Sequence, residues 1–351
     1  MDCHCIHHFG QPLAHQTRPA LVPTGSEVIV QITAAGVCHT DLHLREGGLD
    51  LGRGQRLNYG DRGIRLPLTP GHEIVGRVVA AGPDAGDFDP AAQWVVFPWS
   101  GCGSCAICAT GKEQLCANQR FLGIHSDGGY ATQVRVAHPR YLFPIGDLDP
   151  AHAAQLACSG LTAFAALDKV AASAHAGAIV VIGAGGLGLM CVELMQALGM
   201  QAPVVADIAP DKRAAARAAG ARAVVDSGAA DALAAIQSAC GGAPAAVIDF
   251  VGAEATARLG FDVLAKGGTL VTVGLFGGAA PWSLPLITLK SVSIVGSYVG
   301  SLTDFAALMA LARRGGLRPI PSTPYPLSQA DAVMNRLEAG EILGRAVLVP
   351  D

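Results

Sequence analysis

The second half of the chain alternates short β-branched runs with alanine-rich stretches of helical period, as in a parallel sheet covered on both faces. The pattern predicts strands at 178–182, 204–207, 223–226, 246–250, 269–273 and 292–296, separated by helices or by loops long enough for a crossover. Six such strands make a doubly wound sheet. The helix after the first strand sets Leu187, Met190, Cys191, Leu194, Met195 and Leu198 on one face, and Gly199 follows as its stop.

Residues 21–145 read differently. Strands at 27–33 and 74–80 alternate between Gly/Pro turns and a cysteine-rich loop, which predicts a mostly antiparallel, irregular β domain. From about 298 a helix at 304–313, a proline-rich stretch and a last strand at 346–349 follow. A length of 351 residues suits two domains. The expected division is a β-rich domain of 1–150 and 298–351 and an α/β domain of 151–297. The terminal Cys3, His4, Cys5, His7 and His8 read as part of a first strand more simply than as a metal site.

Composition removes several function classes. With 24 basic against 28 acidic residues and a formal charge of -4, no basic face for nucleic acid is expected. The longest apolar stretch, 176–192, is interrupted by Gly177, Gly183, Gly185, Gly186 and Gly188, so neither a membrane span nor a membrane partner is expected. Ten cysteines are too sparse for a disulfide scaffold, and the start lacks the layout of a secretory signal. Both features point to a reducing, cytoplasmic location.

Cys102, Cys105, Cys108 and Cys116 form C-x2-C-x2-C-x7-C, a spacing that lets four thiolates close around one structural Zn²⁺. Four thiolates also suit an iron–sulfur cluster. A nucleic-acid zinc ribbon fits poorly, because only Lys112 supplies positive charge between the first and last cysteine.

In I179-V-V-I-G-A-G-G-L-G188 a strand runs into G-x-G-x-x-G and then a helix, the arrangement that brings a pyrophosphate to a helix N-terminus. Gly183, Gly185, Gly186, Leu187 and Gly188 are the candidate residues. Asp207 ends the next strand, where a carboxylate accepts hydrogen bonds from an adenosine ribose and repels a 2′-phosphate, so NAD is favoured over NADP.

A third constellation is dispersed: G36-V-C-H-T-D-L-H43, G71-H-E73 and C158-S-G-L-T162. Through these motifs, the four-cysteine loop, GAGGLG and the terminal G344-R-A-V347, in this order, the chain resembles the zinc-dependent medium-chain alcohol dehydrogenases of the medium-chain dehydrogenase/reductase superfamily. The resemblance spans nearly the whole chain. It implies a GroES-like catalytic domain, a Rossmann domain for NAD, and two zinc ions per chain.

By that resemblance Cys38, His72 and Cys158 are ligands of a catalytic zinc that keeps one position open, with Glu73 able to approach the metal. Asp41 orients the ring of His72. Thr40 and His43 form a proton relay, and hydride passes from a zinc-bound alkoxide to nicotinamide. His39, Lys212 and Arg345 are matched to the cofactor's ribose and pyrophosphate. Thr162 matches a position near the nicotinamide, and the strand ends at Gly274 and Ser297 are expected to meet its carboxamide. Trp99 falls where relatives place a wall of the substrate pocket. The family also implies a homodimer or homotetramer formed along the edge strand near 292–296.

The implied reaction is reversible oxidation of an alcohol to an aldehyde or ketone. A polyol or a cyclic hydroxyacyl thioester is the alternative substrate, and a non-catalytic zinc-stabilised nucleotide-binding protein the remote alternative. One departure stands out: 47–66 looks like an insertion and is expected to be an extra loop overhanging the substrate cleft.

Overall fold

Val28–Val37, rich in β-branched side chains, is the central strand of a seven-stranded sheet. In the computed structural model it pairs antiparallel with Glu73–Ala81 on one side and with Arg345–Val349 on the other. Trp94–Val96 and Leu142–Pro144 continue the sheet beyond Glu73–Ala81, and Gln133–Val136 pairs with the start of the central strand. Two register slips, at Ile29/Val30 and Ile32/Ala34, bend this sheet. A Cβ on Gly36 would collide with the carboxylate of Glu73, so glycine here lets that side chain lie across the central strand.

The structure describes every residue from Met1 to Asp351 except Ala174, His175 and Pro281. These divide into two units: one of Met1–Gly48, Asn58–Cys158 and Gly300–Asp351, the other of Leu49–Leu57 and Ser159–Val299. The sheet just described belongs to the first.

The second unit holds six parallel strands in the order Ala223–Asp226, Val204–Asp207, Ile179–Ile182, Ala246–Asp249, Thr269–Thr272, Ser293–Gly296. The expected doubly wound sheet is present strand for strand, with ends shifted by at most one residue. The order reverses at Ile179–Ile182, which creates the crevice where such sheets bind ligands. Val180, Ile182, Val204, Ala206, Val247 and Leu270 from the strands pack with Ile236 and Phe261 from flanking helices in a buried core. Among the described residues no helix is long and apolar enough to cross a membrane.

Three features depart from the sequence reading. The insertion is not an open loop: Gly48–Gly52 and Gln55–Asn58 form a two-stranded sheet, followed by a 3-10 turn at Gly60–Arg62. Its tip groups with the parallel-sheet unit, where Gly278 N donates to Asp50 O and the backbone at Gly52 lies too close to 278–279 to admit a Cβ. The proline-rich stretch contains the edge strand Ser322–Pro326, parallel to Arg345–Val349, and an edge tolerates Pro324. The helix Ala330–Glu338 was not anticipated, although Ala330, Val333, Met334 and Leu337 recur at helical spacing and are buried.

Candidate active site

The central strand ends at Val37, and the next residue, Cys38, is the N-cap of the helix His39–Glu46. Asp41, in the first turn, returns its carboxylate to the Cys38 amide (Oδ2, 3.0 Å), closing a capping box. The same carboxylate takes the Gly71 amide on Oδ1 at 3.1 Å and the Tyr130 hydroxyl on Oδ2 at 3.0 Å. His72 Nδ1 lies 3.3 Å from Asp41 Oδ1. One buried carboxylate therefore meets both the start of this helix and the ring of His72. The far end of the helix is fixed by Arg45, whose guanidinium donates to Asn335 Oδ1 (2.6 Å) and Glu338 Oε2 (2.7 Å).

Cys158 reaches the same place from a π-helical turn, Leu156–Gly160, a feature found where a helix must re-aim one residue at a functional site. Its sulfur is 4.0 Å from that of Cys38. Ligand atoms of Cys38, His72, Glu73 and Cys158, all buried, lie within 4.8 Å of one another. Neither ring nitrogen of His72 has a hydrogen-bond partner among the described residues, a costly state for buried nitrogens; Nδ1 still faces Asp41, whereas Nε2 is left for a metal. Two sulfurs and this nitrogen are the donor set that zinc prefers, so the residues fit the metal.

The charges agree with this fit. Cys158 hydrogen-bonds to the Cys38 sulfur and holds that thiol well below the usual cysteine range, against the opposing effect of burial. Burial acts to lower the basicity of His72, but Asp41 and Cys38 outweigh it and raise the ring well above its ordinary value. Burial lifts the Glu73 carboxyl to about 7, with Arg345 opposing. Arg345, matched in sequence to the pyrophosphate, is buried and turns its guanidinium to Glu73 Oε1.

Thr40 Oγ1 stands 3.8 Å from the Cys38 sulfur. His43, one helical turn on, is half-buried, with Nδ1 3.9 Å from Glu46 Oε2. Burial lowers its basicity below the ordinary histidine value, with Glu46 and Cys38 opposing. His39 opens the helix and is half-exposed. Trp99 is 2% exposed; its indole N–H donates to Ala157 O at 2.8 Å and its ring lies 5.1 Å from that of His72. It thus braces the segments carrying two of the candidate ligands.

The four-cysteine loop is built for a closed site. Four ligands at about 2.3 Å in a tetrahedron have sulfur–sulfur edges of about 3.8 Å. The observed separations are 3.5 Å for Cys105–Cys108, 3.7 Å for Cys105–Cys116 and 4.0 Å for Cys102–Cys108. Amides of Cys102 and Asn118 point at the Cys116 sulfur, and that of Cys108 at Cys105. Buried Glu113 fixes the loop by accepting from Gly101 N and the Tyr141 hydroxyl.

In the parallel-sheet unit each glycine of the strand-to-helix turn has its own reason. Gly183 has φ +93°, which disfavours any side chain, and a Cβ on Gly188 would collide with the Gly183 carbonyl. Gly185 is different: its φ is -72°, and a Cβ there would meet nothing within 4 Å. That clear space at the N-terminus of the helix Gly186–Ala197, which begins with half-exposed Gly186 and Leu187, fits a pyrophosphate. Asp207 is held by the amides of Ala184 (2.7 Å) and Ala209 (2.8 Å). Arg213 donates to the carbonyls of Asp207 and Ile208 and pairs with Asp226. Lys212 stands half-exposed in the first turn of Pro210–Ala218. Buried Thr162 and Ser297 each present a hydroxyl with no partner among the described residues. Gly274 packs so closely on Val251 that a Cβ would overlap its backbone.

Spacing arguments missed Tyr130 and the Glu73–Arg345 pair, because both join residues that only the tertiary fold brings together.

Comparison with known proteins agrees with this geometry. The alcohol dehydrogenase GroES-like domain matches residues 24–147, and the zinc-binding dehydrogenase domain matches 186–314. An NAD-dependent alcohol dehydrogenase of Sulfurisphaera tokodaii is 37% identical over 97% of this chain and 98% of its own. The crystal structure of an alcohol dehydrogenase from Aeropyrum pernix has a TM-score of 0.90 at 31% identity, covering 100% of both chains. That of a D-arabinose dehydrogenase from Sulfolobus solfataricus has 0.84 at 26%, covering 99% of each. With such identity over nearly its full length, and with the metal and nucleotide motifs in place, the chain belongs to the zinc-dependent medium-chain alcohol dehydrogenase family.

Proposed function

We infer that this protein is an NAD-linked, zinc-dependent alcohol dehydrogenase that reversibly oxidises an alcohol to an aldehyde or ketone, with two zinc ions per chain. The observation that carries this reading is the buried cluster of Cys38, His72, Cys158 and Glu73 beside Asp41. Zinc held there supplies a Lewis acid that makes a hydroxyl acidic, while nicotinamide accepts the hydride. Cys102, Cys105, Cys108 and Cys116 hold the second, structural ion.

The chain's own residues supply position and proton transfer. Thr40 takes the hydroxyl proton of the substrate as it gives up its own toward His43, whose imidazole, made less basic by burial, accepts a proton on one nitrogen and releases it toward solvent with Glu46 beside it. Glu73 with Arg345, and Asp41 with its three donors, keep the ligand shell oriented. Asp207 receives the adenosine ribose, and Arg213, engaged with two carbonyls and Asp226, is not arranged to take a 2′-phosphate. His39, Lys212 and Arg345 are assigned to ribose and pyrophosphate, Thr162, Gly274 and Ser297 to nicotinamide, and Trp99 to the substrate pocket. In this reading the unit of Met1–Gly48, Asn58–Cys158 and Gly300–Asp351 is the catalytic domain and that of Leu49–Leu57 and Ser159–Val299 the NAD-binding domain, close to the division expected at 150 and 298.

A sugar or other polyol is the second substrate class, favoured by the likeness to the D-arabinose dehydrogenase structure. Exposed Leu284, Leu286 and Leu289 beside the edge strand Ser293–Gly296 support a homodimer or homotetramer, which sedimentation would measure. All ten cysteines are unbridged, in keeping with a cytoplasmic protein. The test is cofactor choice and product: purified protein should reduce NAD far faster than NADP with an alcohol, releasing a carbonyl compound. Equal rates with both cofactors would reject the Asp207 assignment.

A further inference from the structure

The geometry points to Tyr130 as a positioning residue of the catalytic metal site: its hydroxyl completes the set of donors that locks Asp41, and through Asp41 it holds the ring of His72 in its ligating orientation. This deepens the zinc reading above and rests on it.

Three hydrogen-bond donors and the His72 ring surround the Asp41 carboxylate. Oδ1 faces Gly71 N at 3.1 Å and His72 Nδ1 at 3.3 Å. Oδ2 faces Cys38 N at 3.0 Å and the Tyr130 hydroxyl at 3.0 Å. A carboxylate offers about four acceptor positions; three hydrogen bonds fill most of them and fix its plane, with the His72 ring against Oδ1. One of the donors is the amide of the ligand residue Cys38, and a second is the backbone amide next to His72. Tyr130 is the donor that a substitution can remove without altering a ligand or the main chain.

The phenol is held where it can do this. Tyr130 and Asp41 are both fully buried, so solvent cannot readily replace a missing donor. The Tyr130 amide donates to Pro70 O at 3.0 Å, its carbonyl accepts from His4 N at 2.8 Å, and Gly129 N donates to Gly71 O at 2.8 Å. Gly71 has φ +94° and faces the phenol ring so closely that a Cβ would overlap it. The loop carrying His72 and the segment carrying Tyr130 are thus fitted to each other, and the ring alone accounts for that fit. The hydroxyl donates to Asp41.

Tyr130→Phe keeps the ring and deletes the hydroxyl. Zinc release from the loaded wild type and variant would be followed with 4-(2-pyridylazo)resorcinol, and Cys38→Ser, which lacks a ligand of the catalytic set, would assign the two phases. Loss of an outer partner of a metal ligand typically weakens retention 10- to 100-fold. The expected result is release of the catalytic equivalent on the order of tenfold faster, with the four-cysteine equivalent unchanged. A cobalt-substituted catalytic site should also show displaced visible bands in the variant.

Equal release rates in a wild type that carries both ions would overturn the role of Tyr130 and leave the zinc reading intact. Acceleration of both phases together would mean general loosening and would equally overturn it. A wild type that holds no metal at Cys38, His72 and Cys158 would overturn both.

Discussion

Glu73 and Arg345, 272 residues apart in the chain, form a buried ion pair beside the Cys38–His72–Cys158 cluster. The carboxylate comes from a central strand and the guanidinium from the last strand, on opposite sides of Val28–Val37. Glycine at position 36 leaves room for the pair to meet across that strand.

Removing one partner of a buried pair leaves an uncompensated charge and typically costs about 3–5 kcal/mol. Arg345→Met should therefore lower the melting temperature of the zinc-loaded protein markedly. Adding Glu73→Gln to the same chain should recover part of the loss, as coupling in a contacting pair requires. Melting of Arg345→Met at the wild-type temperature would show that the pair contributes no net stability.

The glycine loop separates folding from binding. Gly185→Ala meets no steric obstacle, so the variant should fold with near-wild-type stability while its affinity for NADH falls about tenfold or more, a change of about 1.4 kcal/mol. Gly188→Ala collides with the Gly183 carbonyl and should destabilise the unit itself. Fluorescence titration with NADH, paired with thermal melts, distinguishes the two. Unchanged NADH affinity in Gly185→Ala would remove the pyrophosphate from this turn.

His43→Gln should retain both zinc ions and lower kcat for alcohol oxidation on the order of 100-fold, the usual scale for a lost proton-transfer group. Because burial depresses its basicity, the wild-type ring protonates at lower pH than an ordinary histidine, and the acid limb of the activity profile should shift the same way. Steady-state rates over pH would check both statements, and a variant with the wild-type profile would exclude His43 from the relay.

Burial also depresses the basicity of His4, His125 and His152. Between the depressed values and the ordinary one near 6.5, the unfolded chain binds more protons than the folded chain, so stability rises with pH there. This contribution is present above about pH 6.5 and is lost as pH falls through the folded values. His72 is left out because a bound metal keeps its ring deprotonated. Melting temperatures at saturating zinc should decline from about pH 7 toward pH 5, and His152→Gln should flatten the decline. Identical slopes for wild type and variant would contradict the assignment to His152.

Much of this molecule is legible in its sequence because the signals are local. Strands buried on both faces write themselves as near-continuous apolar runs, as Ile179–Ile182, Val204–Asp207 and Ala246–Asp249 do, and the less buried strands beside them keep short β-branched runs. Ligand spacings such as Cys102–Cys105–Cys108 are equally local. The hairpin within 47–66 was readable in principle from Gly52-Arg53-Gly54, where all three residues have positive φ, but no apolar alternation marks its strands. The Tyr130–Asp41 bond spans 89 residues and depends on how the loop at 69–71 folds back, which no periodicity reports. Arg345 shows the other limit: a motif match gave it one partner, and the fold supplies another, Glu73.

The most direct test of zinc-dependent, NAD-linked alcohol oxidation is NADH formation over short-chain, long-chain, benzylic, cyclic and sugar or polyol substrates, with zinc content measured in the same samples before and after chelation. The account predicts turnover on at least one class, lost as metal leaves Cys38, His72 and Cys158 and restored by added zinc. Undiminished turnover after that metal has gone, or silence across the panel with both ions in place, would contradict it.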